Sequence, residues 1–111
     1  MKTFLWVLFT AILLAMLAVT TVASLDRGVF EAGSALWQDP WFRATLADAY
    51  FGFLTIFVWI AYRERTWLAR GLWFVLLMAL GNIAIAVYVL LQLARLKPGQ
   101  GVGELLQRRT A

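Results

Sequence analysis

The placement of charge along the chain constrains its fold more than any other feature. No charged residue occurs between Thr3 and Leu25, between Ala49 and Tyr62, or between Gly71 and Ala94. A helix that crosses a bilayer needs ~17–25 mostly apolar residues. The first and third stretches meet that requirement. The middle one meets it once Ala44 to Ala47 and the single acid Asp48 are included. Composition agrees: 63% of the 111 residues are hydrophobic and 14% charged, against ~45–50% and ~25% in ordinary soluble domains. These runs predict an all-α integral membrane protein, one membrane domain over residues 1–111 with three transmembrane helices. The helices are expected at about 3–25, 40–62 and 67–96. A short interfacial segment over 26–39 separates the first two, and a polar tail covers 97–111.

Boundary signals support these limits. Lys2 followed by an apolar run also suits a signal peptide, but signal cores are ~7–15 residues long. The run from Thr3 to Leu25 has 23, which favours a retained anchor helix. Gly28 is a suitable stop. Phe30, Gly33, Trp37 and Trp41 recur at helical spacing, the pattern of a helix lying in the membrane surface. Asp39-Pro40 is a helix start, with Asp as N-cap and Pro in the first helical position. Arg63, Glu64 and Arg65 mark a tight polar turn, Thr66 caps the third helix, and Pro98-Gly99 ends it. So short a connection forces helices two and three into an antiparallel hairpin. Trp6, Trp59, Trp67 and Trp73 should lie towards one interface and Trp37 and Trp41 towards the other.

Orientation is set less directly. With the N-terminus inside a bacterial inner membrane, Lys2, Arg63, Arg65 and Arg70 lie inside, while Arg27, Arg43, Arg95, Lys97, Arg108 and Arg109 lie outside. That tally opposes the choice. The first helix usually dominates, however, and 63–70 is the densest basic cluster, so N-inside, C-outside is the expectation.

Missing residue types exclude much chemistry. The chain has no His and no Cys, so haem ligation by those residues, structural zinc, iron–sulfur clusters, thiol redox and His-based triads fall away. The six acids, Asp26, Glu31, Asp39, Asp48, Glu64 and Glu104, are scattered, whereas a carboxylate metal site gathers several. Gly99, Gly101 and Gly103 follow a helix rather than a strand, which removes the dinucleotide-loop context. We expect no enzyme activity, no cofactor and no metal. The net charge of +4 comes from basic residues flanking apolar runs. It reads as anchoring to membrane lipid rather than to nucleic acid.

Polar residues inside apolar helices carry the remaining signal, because each needs a partner in hydrocarbon. In helix two, Asp48, Gly52, Thr55, Trp59 and Tyr62 fall within an arc of ~80° at ~100° per residue. Helix one has Thr3, Thr10, Thr21 and Ser24, with Ala11, Ala15 and Ala18 as a small-residue face suited to close packing. Helix three has Gly81, Asn82, Tyr88 and Gln92. Counting depth from a shared end near residues 44 and 94 pairs Asp48 with Tyr88 or Gln92. It leaves Asn82 to Thr55 or to helix one. The candidate intramembrane polar site is therefore Asp48, Thr55, Asn82, Tyr88 and Gln92. Arg63, Glu64, Arg65, Trp67 and Arg70 form a candidate interfacial turn. Each also has a plainer reading: Asp48 in the headgroup zone, Asn82 as interhelical glue, Thr55 bonded to its own helix, and 63–65 as a solvated turn.

Thr45-Leu-Ala-Asp48-Ala-Tyr50, then Trp59-Ile-Ala-Tyr62-Arg-Glu64-Arg-Thr-Trp67, then Gly81-Asn82 and Tyr88, resemble the pattern of a family of small three-helix transmembrane proteins of unknown function with bacterial and plant members. The likeness covers roughly residues 39–95. It implies the three-helix fold and no activity. Two functions fit. One is a non-catalytic accessory or scaffolding subunit that meets other transmembrane helices, in a homo-oligomer or a heteromeric complex. The other is a small-solute or lipid carrier or receptor acting as a homo-oligomer around Asp48. Against the second stands the lack of a proline or an evident unwound segment at mid-membrane.

Overall fold

A computed structural model describes residues 2–97 and 99–107. Its elements are α1 (Lys2–Asp26), α2 (Val29–Leu36), α3 (Pro40–Arg63), α4 (Trp67–Leu80) and α5 (Asn82–Ala94), followed by a 3-10 turn at Val102–Leu106. No strand occurs among the described residues. Two helices, α1 and α3, are long and apolar enough to cross a membrane. At ~1.5 Å per residue they measure ~37 and ~36 Å, against ~30 Å of hydrocarbon.

Local chemistry sets the ends. Gly28 precedes α2 in extended conformation. The Asp39 carboxylate accepts a hydrogen bond from Trp41 N at 2.9 Å, with Pro40 opening α3. The Thr66 hydroxyl accepts one from Ala69 N at 3.1 Å and so starts α4.

The third apolar run is not one helix, contrary to the expected span at 67–96. It breaks at Gly81, whose φ is +56°, a left-handed region that glycine enters at little cost. The helical ladder stops at Gly81 N donating to Leu77 O and resumes at Ile85 N donating to Gly81 O. The chain then turns back. Along α3, Tyr50 reaches Met78, Phe57 packs edge-on against Phe74, and Phe53 lies against Gly81. Beyond the break, Tyr88 meets both Trp73 of α4 and Trp59 of α3, at centroid distances of 4.8 and 5.4 Å. Gln92 meets Arg63. In a straight helix, residues 73 and 88 would stand ~22 Å apart. Hence α4 runs antiparallel to α3, as the short turn demands, and α5 returns parallel to α3. The arms are ~21 and ~20 Å long, with Gly81 at the tip and both outer ends at the base, where α3 finishes.

α1 packs along α5. Its Leu5 and Phe9 join Val89, Leu93 and Leu105 in a cluster at the base. The start of α1 and the C-terminal turn therefore share one end of the bundle. The contact gives no support to the expected N-inside, C-outside arrangement, which would set them on opposite faces. α1 turns its half-buried stripe of Leu5, Phe9, Ile12, Leu13 and Met16 inwards, while Ala11, Ala15 and Ala18 stay exposed. The small-residue face is not the one used within the chain. A second cluster holds Ile60, Leu77, Ala84 and Tyr88. Trp59 and Trp73 pack on it, clasping Tyr88. Trp41 and Trp67 are each 81% exposed.

Candidate functional site

The buried polar residues gather at the base of the hairpin, and the fold dictates their positions. Arg63 is the last residue of α3, Gln92 lies in the last turn of α5, and Glu64 caps α3 through its backbone N–H to Ile60 O at 2.9 Å. Parallel α3 and α5 bring residues 63 and 92 to one level. Relative exposures are 5% for Arg63, 2% for Glu64 and 2% for Gln92.

Arg63 organises the centre. Its Nη2 donates to Gln92 Oε1 at 2.8 Å. Its Nη1 faces three carbonyls of the C-terminal turn: Glu104 O at 2.8 Å, Leu105 O at 2.6 Å and Gln107 O at 2.9 Å. Leu105 O also accepts from Trp59 Nε1 at 3.0 Å, and the guanidinium lies 5.8 Å from the Trp59 ring centroid. These partners of the buried cation are neutral oxygens. Arg63 Nε and Gln92 Nε2 are buried without a hydrogen-bond acceptor. A buried donor left without an acceptor costs ~1–3 kcal/mol, so these two groups stand out in a cluster otherwise well paired.

The rest of the turn is structural. Arg70 Nε donates to Ala61 O at 2.9 Å and Glu64 O at 3.2 Å, covering carbonyls that a helix end leaves open. Its guanidinium rests 4.7 Å from the Trp67 centroid. Glu64 and Arg65 take part in further interactions; Arg63 and Glu64 are buried rather than solvated, while Arg65 is exposed.

The expected intramembrane layer around Asp48 does not form. Asp48 is exposed. Fifteen residues separate it from Arg63 along α3, or ~22 Å, and Gln92 lies at the level of Arg63. The depth count places residue 94 beside residue 44; the hairpin puts it beside residue 63. Tyr88 is fully buried between the two tryptophans. The Thr55 hydroxyl donates to Phe51 O of its own helix at 2.9 Å, so it does not serve Asn82. Asn82 opens α5 at the hairpin tip and is exposed. Sequence reasoning missed Trp59 as a donor and Arg63 as a buried cation. It also missed Tyr50, whose hydroxyl donates to Met78 O at 3.0 Å and covers a carbonyl at the end of α4. Only the hairpin topology makes these contacts visible.

A groove of about 710 Å³ lies at the far end between α2 and the start of α3. Phe30, Leu36, Trp37, Phe42 and Leu46 line it, and Arg43 sits 5.9 Å from the Trp37 centroid. Among the described residues no group of three or more acids gathers where a metal could bind.

No match to the chain was found among curated proteins or among solved structures. The sequence pattern of one family of proteins of unknown function, DUF1475, does match, and it does so over residues 2–107. That extends beyond the 39–95 resemblance to take in α1 and the C-terminal turn, and the chain belongs to that family.

Proposed function

We propose that the protein is a non-catalytic membrane component that acts by association. In this reading α1 and α3 cross the bilayer, while α4 and α5 form a re-entrant hairpin that enters and leaves on the basal side. One observation carries it: α1 has no buried residue within the chain, and its Ala11, Ala15 and Ala18 face is open. Small residues let helix backbones approach closely, which is how transmembrane helices associate in lipid. The partner is another transmembrane helix, from a second copy or from a larger complex. Absent His and Cys support a non-catalytic role. The test is gentle solubilisation followed by native mass measurement. An assembly larger than one chain, reduced by Ala15→Leu, is expected. A monomer that keeps no partner would refute the proposal.

The carrier or receptor reading gains one point from the structure. A helix break such as that at Gly81 is the usual pointer to a transport site, and the sequence alone offered none. A chain with Asn82→Ala that binds or moves solutes no differently from the parent in reconstituted vesicles would speak against this alternative.

A further inference from the structure

The cluster at the base has a one-sided chemistry. Arg63 Nη1 and Trp59 Nε1 point donors at one place, and the acceptors there all belong to the turn Val102–Leu106 and the residue after it. Arg63 Nε and Gln92 Nε2 add two donors with no acceptor. Nη2 of the same guanidinium is 2.8 Å from Oε1 of the same amide, so the two spare donors belong to side chains in direct contact. Arg63 and Gln92 are each at least nine-tenths buried. A guanidinium is planar, permanently charged and shaped to grip oxyanions, phosphate above all. Here its partners are uncharged carbonyls.

The segment that supplies those carbonyls is short. It comes after Lys97-Pro-Gly-Gln-Gly101, in which no helix or strand is described. Within it Leu105 is buried, whereas Leu106 and Gln107 are exposed. Its grip on the bundle comes from buried Leu105, from half-buried Val102 on the same cluster, and from the donors of Arg63 and Trp59.

We propose that Trp59, Arg63 and Gln92 form an oxyanion pocket for a phosphate group, which the C-terminal turn occupies in this conformation and leaves when phosphate binds. A phosphate has enough oxygens to replace the carbonyls on Nη1 and Trp59 and to reach the spare donors as well. It also brings negative charge, which the carbonyl partners of Arg63 do not carry. The phosphate could come from solution or from a lipid headgroup at the base; the chemistry is shared, and the experiment separates the two sources.

The chain has no cysteine, so two probes can be placed cleanly. Leu68 is 84% exposed at the base, and Gln107 is exposed beyond the turn. Spin labels on the full chain with Leu68→Cys and Gln107→Cys, in phosphatidylcholine discs, report the distance between turn and hairpin. Inorganic phosphate should lengthen that distance saturably, by 10 Å or more, where sodium chloride of equal ionic strength does not. Lengthening in phosphatidylglycerol discs without free phosphate assigns the lipid source, and a response to free phosphate alone assigns the soluble one. Arg63→Gln should release the turn beforehand and abolish the response. Gln92→Leu, which keeps the Arg63–turn contacts, should weaken it at least tenfold. An unchanged distance under both phosphate sources, an equal effect of chloride, or a full response in Gln92→Leu would each overturn the proposal.

Discussion

At the scale of single residues, Gly81 and Arg63 decide the most. Gly81 is held at φ +56°, and a Cβ placed on it would lie 2.6 Å from Phe53 Cζ. Gly81→Ala therefore meets backbone strain and a ring at once, for a cost of ~1–3 kcal/mol. Its thermal midpoint in detergent should fall. Adding Phe53→Leu should recover part of the loss, because it removes the clash but not the strain. No recovery at all would show that the ring is not what Gly81 avoids. Arg63 is a different case. Arg63→Met leaves Glu104 O, Leu105 O and Gln107 O without their shared donor and should destabilise the base by ~2–4 kcal/mol. The effect should be local: proteolysis should reach the C-terminal turn much faster, while the far end keeps its protection. Little of this is legible in the sequence. An arginine that opens an Arg-Glu-Arg turn reads as solvated, since nothing in the sequence says that residues some forty positions later cover it. Asp48 misleads for the converse reason. An acid within an apolar run is expected on the packed face, whereas Asp48 stands on an exposed one.

At the scale of elements, the helix starts are the legible part. Asp39-Pro40 and Thr66 act through their immediate neighbours, so local spacing determines them, and the structure has both caps at those residues. The hairpin is hidden because the run from Gly71 to Ala94 carries no charge, and a glycine inside such a run is compatible with a continuous membrane helix. The stripe of Tyr88 and Gln92 is legible as buried, but its partners depend on which way α5 runs. One sign of the return is present: basic residues flank the run at both ends, Arg70 before it and Arg95 and Lys97 after it. A span crossing from one side to the other tends to carry them at one. The hairpin also needs its tip closed. Gly81 N covers Leu77 O, and Tyr50 covers Met78 O from α3. Tyr50→Phe keeps the ring and its edge-on contact with Phe53, 5.3 Å between centroids, and removes only the hydroxyl. A loss of ~1 kcal/mol is expected, with faster amide exchange concentrated at the end of α4. Exchange that rises evenly through the molecule would mean that Tyr50 does not close the tip.

At the scale of the whole molecule, the return of α5 changes the charge balance across the proposed membrane. With a third crossing helix, the ten basic residues divide four against six and oppose the N-inside choice. With the hairpin, Lys2, Arg63, Arg65, Arg70, Arg95 and Lys97 all lie at the base, because α1 and α4 begin there and α3 and α5 end there. Only Arg27 and Arg43 lie at the other end. Arg108 and Arg109 fall outside the described residues and come directly after the basal turn in sequence. The excess of Lys and Arg near membrane ends marks the cytoplasmic side, so under the proposed arrangement the base is expected on the cytoplasmic side, with both ends of the chain. Reporters fused to each end test this. A fluorescent protein that matures only in the cytoplasm should light at both termini, and a phosphatase active only after export should be silent at both. A phosphatase inserted between Gly28 and Val29 should be active, since that loop joins α1 to α2 at the far end. Opposite signals from the two termini would instead restore a third crossing helix. The break at Gly81, with Trp73 and Tyr88 in contact across it, could not then persist in the membrane, because a spanning helix holds those residues ~22 Å apart.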